Sequence, residues 1–428
     1  MWWWLRREHE IIAPFPIGLA ALAVYIVPRA GYLLWFDRAP LTSAGLTDPR
    51  QLALIAETTL AALLAALAFL VGHRARHAGL LGGRLNLNIP TPDPTRVVWV
   101  GGAAVVVGTL VMAYMFNTLG SLSYALSHQY EMSVLLQGKQ SLFQLTRLLV
   151  VAVILLLVDP VSGRSRWWVW LMALASAVAF LPFGYRVYVL LAIGSPIALY
   201  HLTVRRLSMR WIVTATSLAG VALFLFGFVR LLTLQRLEQA AGVFARHRVT
   251  AVHFAFNATG ELKVFDATSL VVRDVPNVVG YNFGETFAVV PWMIIPRRLW
   301  RDKPVTSGHL IVQRYLPNLR TAYPPMAVGE FFAAAGWLGV LVGFFGLGWM
   351  SRVVWEWHRH RTGSGNASVY LLYCFFVLDF IRVGDPSRTV WFLVIGTTMT
   401  AIAFAVAASS RRPDDLVPSS STPSPSPA

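Results

Sequence analysis

An all-α fold of the polytopic membrane class, with about ten transmembrane helices, is predicted by three observations. The 428-residue chain is 56% hydrophobic and only 13% charged, against about 25% charged in ordinary soluble domains. Its apolar residues gather in runs of about 17 to 22, enough to cross a ~30 Å hydrocarbon layer as helices. Every second connection between the runs is basic, as expected of short loops on the cytoplasmic side of a membrane.

The runs lie at residues 11–28, 51–72, 97–117, 142–159, 167–184, 187–203, 211–230, 330–350, 367–383 and 389–408. The first is interrupted by prolines and lacks a small-residue cleavage site, so it reads as a span and not as a removable leader. Arg6 and Arg7 precede it, and Arg74, Arg76 and Arg84 follow the second run. Arg164 and Arg166 follow the fourth, Arg205, Arg206 and Arg210 the sixth, Arg352, Arg359 and Arg361 the eighth, and Arg411 and Arg412 the tenth. This parity puts both termini in the cytoplasm. The formal charge of +16 is then accounted for largely by loops that meet anionic lipid, and no nucleic-acid partner is implied.

The chain divides into residues 1–230 with spans one to seven, a long external segment 231–329, spans eight to ten in 330–410, and a Ser/Pro-rich cytoplasmic tail 411–428. The tail cannot bury a core and reads as disordered. The external segment mixes Trp, Phe, Tyr, Pro and charge, which predicts short interfacial helices. Within it, residues 278–296 are apolar enough to suggest an eleventh crossing, but Gly280, Asn282, Gly284, Glu285 and Pro291 interrupt the run. A crossing there would also reverse the Arg352–Arg361 loop, so a re-entrant or interfacial helix fits better.

Charge at the external ends carries the functional reading. The stretch IIPRRLWRDKP sets Arg297, Arg298, Arg301 and Lys303 beside two prolines and Trp300. Arg186 lies in the tight link between spans five and six, Arg230 ends span seven and Arg382 ends span nine. Any one of these could be an interfacial anchor that snorkels to the head groups. Several around one cavity would bind a diphosphate, because a guanidinium is a planar, permanently charged fork of donors that also stabilises a leaving phosphate. No paired acidic motif or His/Asp cluster with metal-ligand spacing is present, so no metal or other cofactor is expected. The single cysteine, Cys374, excludes an internal disulfide framework.

Glu330 opens the eighth span and is the candidate proton acceptor, although a glutamate at a helix start can simply complement the helix dipole. Asp385 lies between Arg382 and Arg388 in the link between spans nine and ten, where a local ion pair holding the turn is the plainer role. Asp379, inside the ninth span, is expected to pair with an arginine of another helix. Tyr281 and Trp300 could face sugar rings or belong to the interfacial aromatic belt.

Three blocks taken in order, IPRRLWRDKP, VGEFFAAAGWLG and IRVGDPSR, resemble the bacterial O-antigen polymerases, the Wzy-type oligosaccharide repeat unit polymerases. Arg186, after a glycine between two spans, is similar to that family's pattern as well. Two departures stand out: a valine separates Arg382 from Gly384, and the loop after the third span holds no arginine. The resemblance implies an inverting glycosyltransferase in the bacterial cytoplasmic (inner) membrane that polymerises undecaprenyl-diphosphate-linked repeat units on the external face. By matching positions, Arg186, Arg297, Arg298 and Arg382 would hold the diphosphate, Lys303 would assist and Glu330 would be the base. Arg230, Tyr281, Trp300, Asp385 and Arg388 complete the expected substrate-binding set. A chain-length regulator would be a further partner.

Four other readings remain open. An O-antigen-ligase-type transferase would use the same donor with a different acceptor. A transporter of an anionic substrate would place its charges inside the spans. A polyprenyl-monophosphate sugar transferase would carry paired acids in the first external loop, where only the separated Asp37 and Asp48 occur. A membrane scaffold would need none of this chemistry.

Overall fold

The structure is a computed structural model, and it describes residues 12–35, 51–90, 92–120, 140–158, 167–183, 186–203, 206–208, 262–295, 299–300, 324–361 and 363–408, with a few isolated positions between them. Its helices are α1 (Pro14–Trp35), α2 (Gln51–His73), α3 (Arg76–Arg84), α4 (Pro94–Thr118), α5 (Gln140–Gln144), α6 (Leu148–Val158), α7 (Trp167–Phe180), α8 (Arg186–Thr203), α9 (Val264–Asp274), α10 (Glu285–Ala288), α11 (Ala327–Arg359), α12 (Ser364–Val383) and α13 (Pro386–Ala407). Short 3-10 turns occupy Leu145–Arg147, Leu181–Phe183 and Val290–Ile294.

Among the described residues, six helices (α1, α2, α4, α11, α12 and α13) are long and apolar enough to cross a membrane, and three shorter apolar helices cover 142–157, 167–183 and 188–203. Nine of the ten predicted runs therefore have a helical counterpart, and the run at 211–230 lies outside the described residues. The first helix extends beyond residue 28 because Pro28 is accommodated inside it, so Arg29 and Tyr32 belong to the helix and not to a loop. Residues 278–295 make no crossing: they turn into the four-residue α10 and a 3-10 turn.

The two larger apolar cores among the described residues share α12. One is built from α1, α2, α9, α11 and α12 around Phe69, Phe265, Phe344, Val377 and Phe380. The other joins α4, α6, α7, α8, α12 and α13 around Ile154, Phe180, Phe183, Leu199 and Phe404. The two faces of α2 show the principle. Ala61, Ala65, Ala68 and Gly72 face inward, and a Cβ on Gly72 or Gly348 would collide with the backbone carbonyl of Phe345 or Phe69. Small residues thus let α2 and α11 touch backbone to backbone, as helices in lipid do where no hydrophobic drive separates tail from side chain. On the outer face Leu60, Leu63, Leu67 and Val71 are about half exposed, a stripe suited to acyl chains.

The helix ends sort into two sides. At one, Asp93 N donates to Ala407 O (2.6 Å), Arg361 Nη2 to Leu85 O (2.9 Å) and Tyr370 Oη to Ile12 O (3.0 Å). This basic end gathers Arg74, Arg76, Arg84 and Arg96 with Arg352, Arg359 and Arg361, and the stacked pair Trp167 and Trp168 is exposed at its level together with Trp99. Exposed Trp35, Trp292 and Trp337 mark the opposite end. Aromatic residues at both ends of an apolar bundle are the expected membrane-interface belts.

Candidate functional site at the end opposite the basic loops

The site end is organised by a reversal inside α11. Ala335 (φ −158°, ψ 33°) and Gly336 (φ 61°, ψ −141°) leave helical geometry and divide α11 into a short helix, 327–334, and a long one, 337–359. The Gly336 conformation is open only to glycine, and the Tyr281 hydroxyl lies against it. The short helix folds back on the long one, since a Cβ on Gly339 or Gly343 would run into the carbonyl or the ring of Phe331. Asn282 N and Phe283 N donate to Ala333 O and Ala334 O at 3.0 and 3.1 Å, which satisfies carbonyls that a helix end leaves open. Glu330 therefore does not open the membrane-crossing helix, as the sequence suggested. It sits in the middle of the folded-back segment and is fully buried. The apolar stretch FFAAAGWLG concealed the break, because only Gly336 marks it.

Helix α9 underlies this segment. Arg29 of α1 reaches Asp266 of α9 with Nε–Oδ1 at 2.9 Å and Nη2–Oδ2 at 2.6 Å, both side chains being out of contact with solvent. Thr58 Oγ1 of α2 is hydrogen-bonded to Ser269 Oγ at 3.0 Å, and Met326 N donates to Thr268 Oγ1 at 3.0 Å. Burial pushes the Asp266 carboxyl up to about 6, opposed by the Arg29 guanidinium and by Lys263. Burial also depresses the Lys263 ammonium, which Asp266 partly offsets. None of Arg29, Lys263 and Asp266 stood out in the sequence, where Arg29 closes an apolar run.

The link between α12 and α13 packs against the start of the short helix. Gly384 adopts φ 67°, and a Cβ there would collide with the carbonyls of Pro325 and Met326. Asp385 caps α13: its Oδ1 accepts from Arg388 N (3.1 Å) and Ser387 Oγ (2.6 Å). It is a helix cap and not the local ion pair expected of it. The arginine partner of Asp379 is also mainly on its own helix. Arg382 donates to Asp379 Oδ1 through Nη2 (2.6 Å) and Nε (3.2 Å), while Arg388 of α13 stands 3.9 Å from Oδ2. Asp379 is buried, Arg382 is mostly covered and Arg388 is exposed.

A third arginine joins them. Arg147 ends the 3-10 turn before α6 and donates to Phe392 O (3.1 Å) and to Tyr188 Oη (2.9 Å), its guanidinium carbon 4.5 Å from the Phe392 ring centroid. It acts electrostatically on Asp379. By apolar length Arg147 falls inside the fourth run, and the loop after the third run holds no arginine. The structure instead puts the turn carrying Arg147 at the site end.

Residues 290–294 close the site on another side, where Trp391 Nε1 of α13 donates to Val290 O at 2.8 Å. Trp300 is half-buried, and Tyr281 is half-buried over Gly336. Arg186 begins α8. Arg230, Arg297, Arg298 and Lys303 lie outside the described residues. Comparison with protein-family models, curated proteins and solved structures returned no match. The chemistry of this site rests on its residues alone: the exposed guanidinium of Arg388, the covered ones of Arg382 and Arg147, the buried carboxylates of Asp379 and Asp385, and that of Glu330 in the folded-back helix.

Proposed function

We propose that the chain is an inverting glycosyltransferase of the bacterial cytoplasmic membrane, of the O-antigen polymerase type, which joins glycan repeat units carried on undecaprenyl diphosphate. The supporting observation is the packing of Gly384 on Pro325 and Met326 beside the Trp391–Val290 hydrogen bond. Through these contacts the α12–α13 turn touches the segment leading to Glu330, and the helix it starts carries Trp391, which holds Val290 in the stretch before Arg297. The basic end would face the cytoplasm, as its arginines favour, and the site would open outward.

In this reading Arg388 and Arg382, with Arg297, Arg298 and Lys303, hold the diphosphate of the donor. A hydroxyl of the acceptor repeat unit attacks the anomeric carbon from the opposite face, the new C–O bond forms as the bond to the phosphate oxygen breaks, and lipid diphosphate leaves with the electron pair. The hydroxyl proton passes to Glu330 once the folded-back helix admits the acceptor. The guanidiniums neutralise the charge that grows on the leaving oxygen, the largest single contribution expected of such a site.

The test is purified protein supplied with lipid-diphosphate-linked oligosaccharide in EDTA. A ladder of longer glycans is expected, lost in Arg297→Ala and Arg382→Ala proteins that remain folded. Near-normal chain lengths in both variants would remove the assignment. Passage of labelled substrate across a vesicle without bond formation would replace it with transport.

A further inference from the structure

The stretch between α9 and α10 leaves a large aromatic side chain in the open at the end opposite the basic loops. Phe283 is 84% exposed, and Val278 before it is 61% exposed. The neighbouring aromatics turn the other way: the Tyr281 hydroxyl lies against Gly336, and the Phe287 ring stacks on Phe331 at 5.3 Å. Phe283 has φ 45°, a left-handed conformation that strains any residue with a Cβ and persists only where its surroundings impose it. Hydrogen bonds impose it here: Asn282 N donates to Ala333 O (3.0 Å), Phe283 N to Ala334 O (3.1 Å) and Gly284 N to Asn282 Oδ1 (3.0 Å). The result of this built turn is an apolar ring held away from the protein.

The depth of the turn follows from α11. Along its long part Trp337 and Glu356, toward which Arg352 turns, are about 28 Å apart, close to the ~30 Å of a hydrocarbon layer. The reversal at Ala335–Gly336 thus falls at the boundary between acyl chains and head groups, and Phe283, bonded to Ala334, falls there with it. From that level the apolar surface continues down α11 through the exposed Trp337, Leu338, Leu341, Val342 and Phe345. Exposed Glu285, two residues after Phe283, bars a deeper position. We propose that Phe283, with Val278, is a wedge that enters the acyl boundary of the bilayer at the end opposite the basic loops, so that the membrane surface holds the 281–283 turn and, through it, the folded-back helix that carries Glu330. Membrane contact and the lock on that helix then lie in one residue, whose ring meets lipid while its amide holds Ala334. The inference needs only a chain that lies in a bilayer and is independent of glycosyl transfer.

Spin-label accessibility of the full chain in lipid nanodiscs tests the wedge. The single native cysteine is removed as Cys374→Ala, Phe283→Cys is labelled with a nitroxide, and collisions with oxygen, which concentrates in lipid, are compared with collisions with a water-soluble nickel complex. Leu338→Cys, on the outer face of α11, is the lipid reference. Oxygen collisions that outnumber nickel collisions at residue 283, as at residue 338, are expected. Val278→Cys is read in the same way and decides the matter should Phe283→Cys fail to fold. Nickel collisions in excess place the side chain in water and overturn the wedge. Shielding from both reagents means that a second copy or another protein covers the turn, and overturns it as well.

Hydrogen exchange tests the hold on the short helix. In nanodiscs Phe283→Ser is expected to speed amide exchange in residues 281–284 and 327–336 about tenfold, the change that loss of one partly buried aromatic anchor brings to a local opening. Exchange in α12 and α13 should stay as in wild type. Unchanged exchange in 327–336 overturns the holding role, and faster exchange throughout the bundle overturns it too by showing a general loss of stability. Loss of glycan elongation in Arg297→Ala leaves this result untouched, so the transferase reading and the wedge stand or fall separately.

Discussion

Arg29 and Asp266, 237 positions apart, meet in a two-bond ion pair from which solvent is excluded. Through it α1 grips α9, and α9 in turn holds Met326 and the approach to Glu330 by the Thr268 hydroxyl. A buried pair of this kind adds little over a well-packed apolar pair, yet loss of one partner strands a charge. Arg29→Leu is therefore expected to destabilise the protein by about 3–5 kcal/mol, and Arg29→Leu combined with Asp266→Leu to regain most of that loss. Chemical unfolding in detergent measures both. A double variant no more stable than the single one would show that the pair is not the source of the effect.

The same carboxyl sets a pH dependence. Burial raises Asp266 from an ordinary value of 3.8 to about 6, so the folded protein retains a proton that the unfolded chain releases in between. Its contribution to stability is fully present below the unfolded value and declines as pH rises through about 6. The melting temperature of wild type relative to Asp266→Asn should fall between pH 4 and pH 7. A flat difference, or one of opposite slope, would contradict the assignment.

Gly384 joins the two ends of the site, and its positive φ and its contact with Pro325 and Met326 both exclude a side chain. Gly384→Ala is expected to cost about 1–3 kcal/mol from backbone strain alone. It should also reduce glycan elongation more than a control, Gly346→Ala, where a Cβ meets nothing within 4 Å. Melting and elongation assays on the two variants make the comparison. Equal behaviour would mean that the close approach is not required.

The helical architecture was legible in the sequence because apolar length is the dominant signal of a chain in lipid, and nine of ten runs have helices behind them. What escaped were the places where charge enters an apolar run. Arg29 and Arg147 each sit within or against a run that continues past them, and only tertiary partners reveal that they lie at the site end. The reversal at Ala335–Gly336 was hidden for a similar reason: small apolar residues suit a membrane helix and a tight turn alike. Asp385 was legible as a turn residue, but whether it caps or forms an ion pair depends on backbone direction, which spacing does not specify. The pairing of Asp379 with Arg382 follows from a three-residue helical spacing and was available from the sequence.

Glu330 offers the sharpest separation between binding and chemistry. The side chain is fully buried in the folded-back helix, and Gln matches it in shape while lacking the capacity to take a proton. Glu330→Gln should melt close to wild type, bind pyrophosphate normally and lose elongation by about a hundredfold or more, the usual range for removal of a positioned base. Glu330→Ala would leave a cavity as well, so a loss seen only in that variant would indicate packing and not proton transfer. Elongation preserved in Glu330→Gln would move the base elsewhere and leave Glu330 as a support for the short helix.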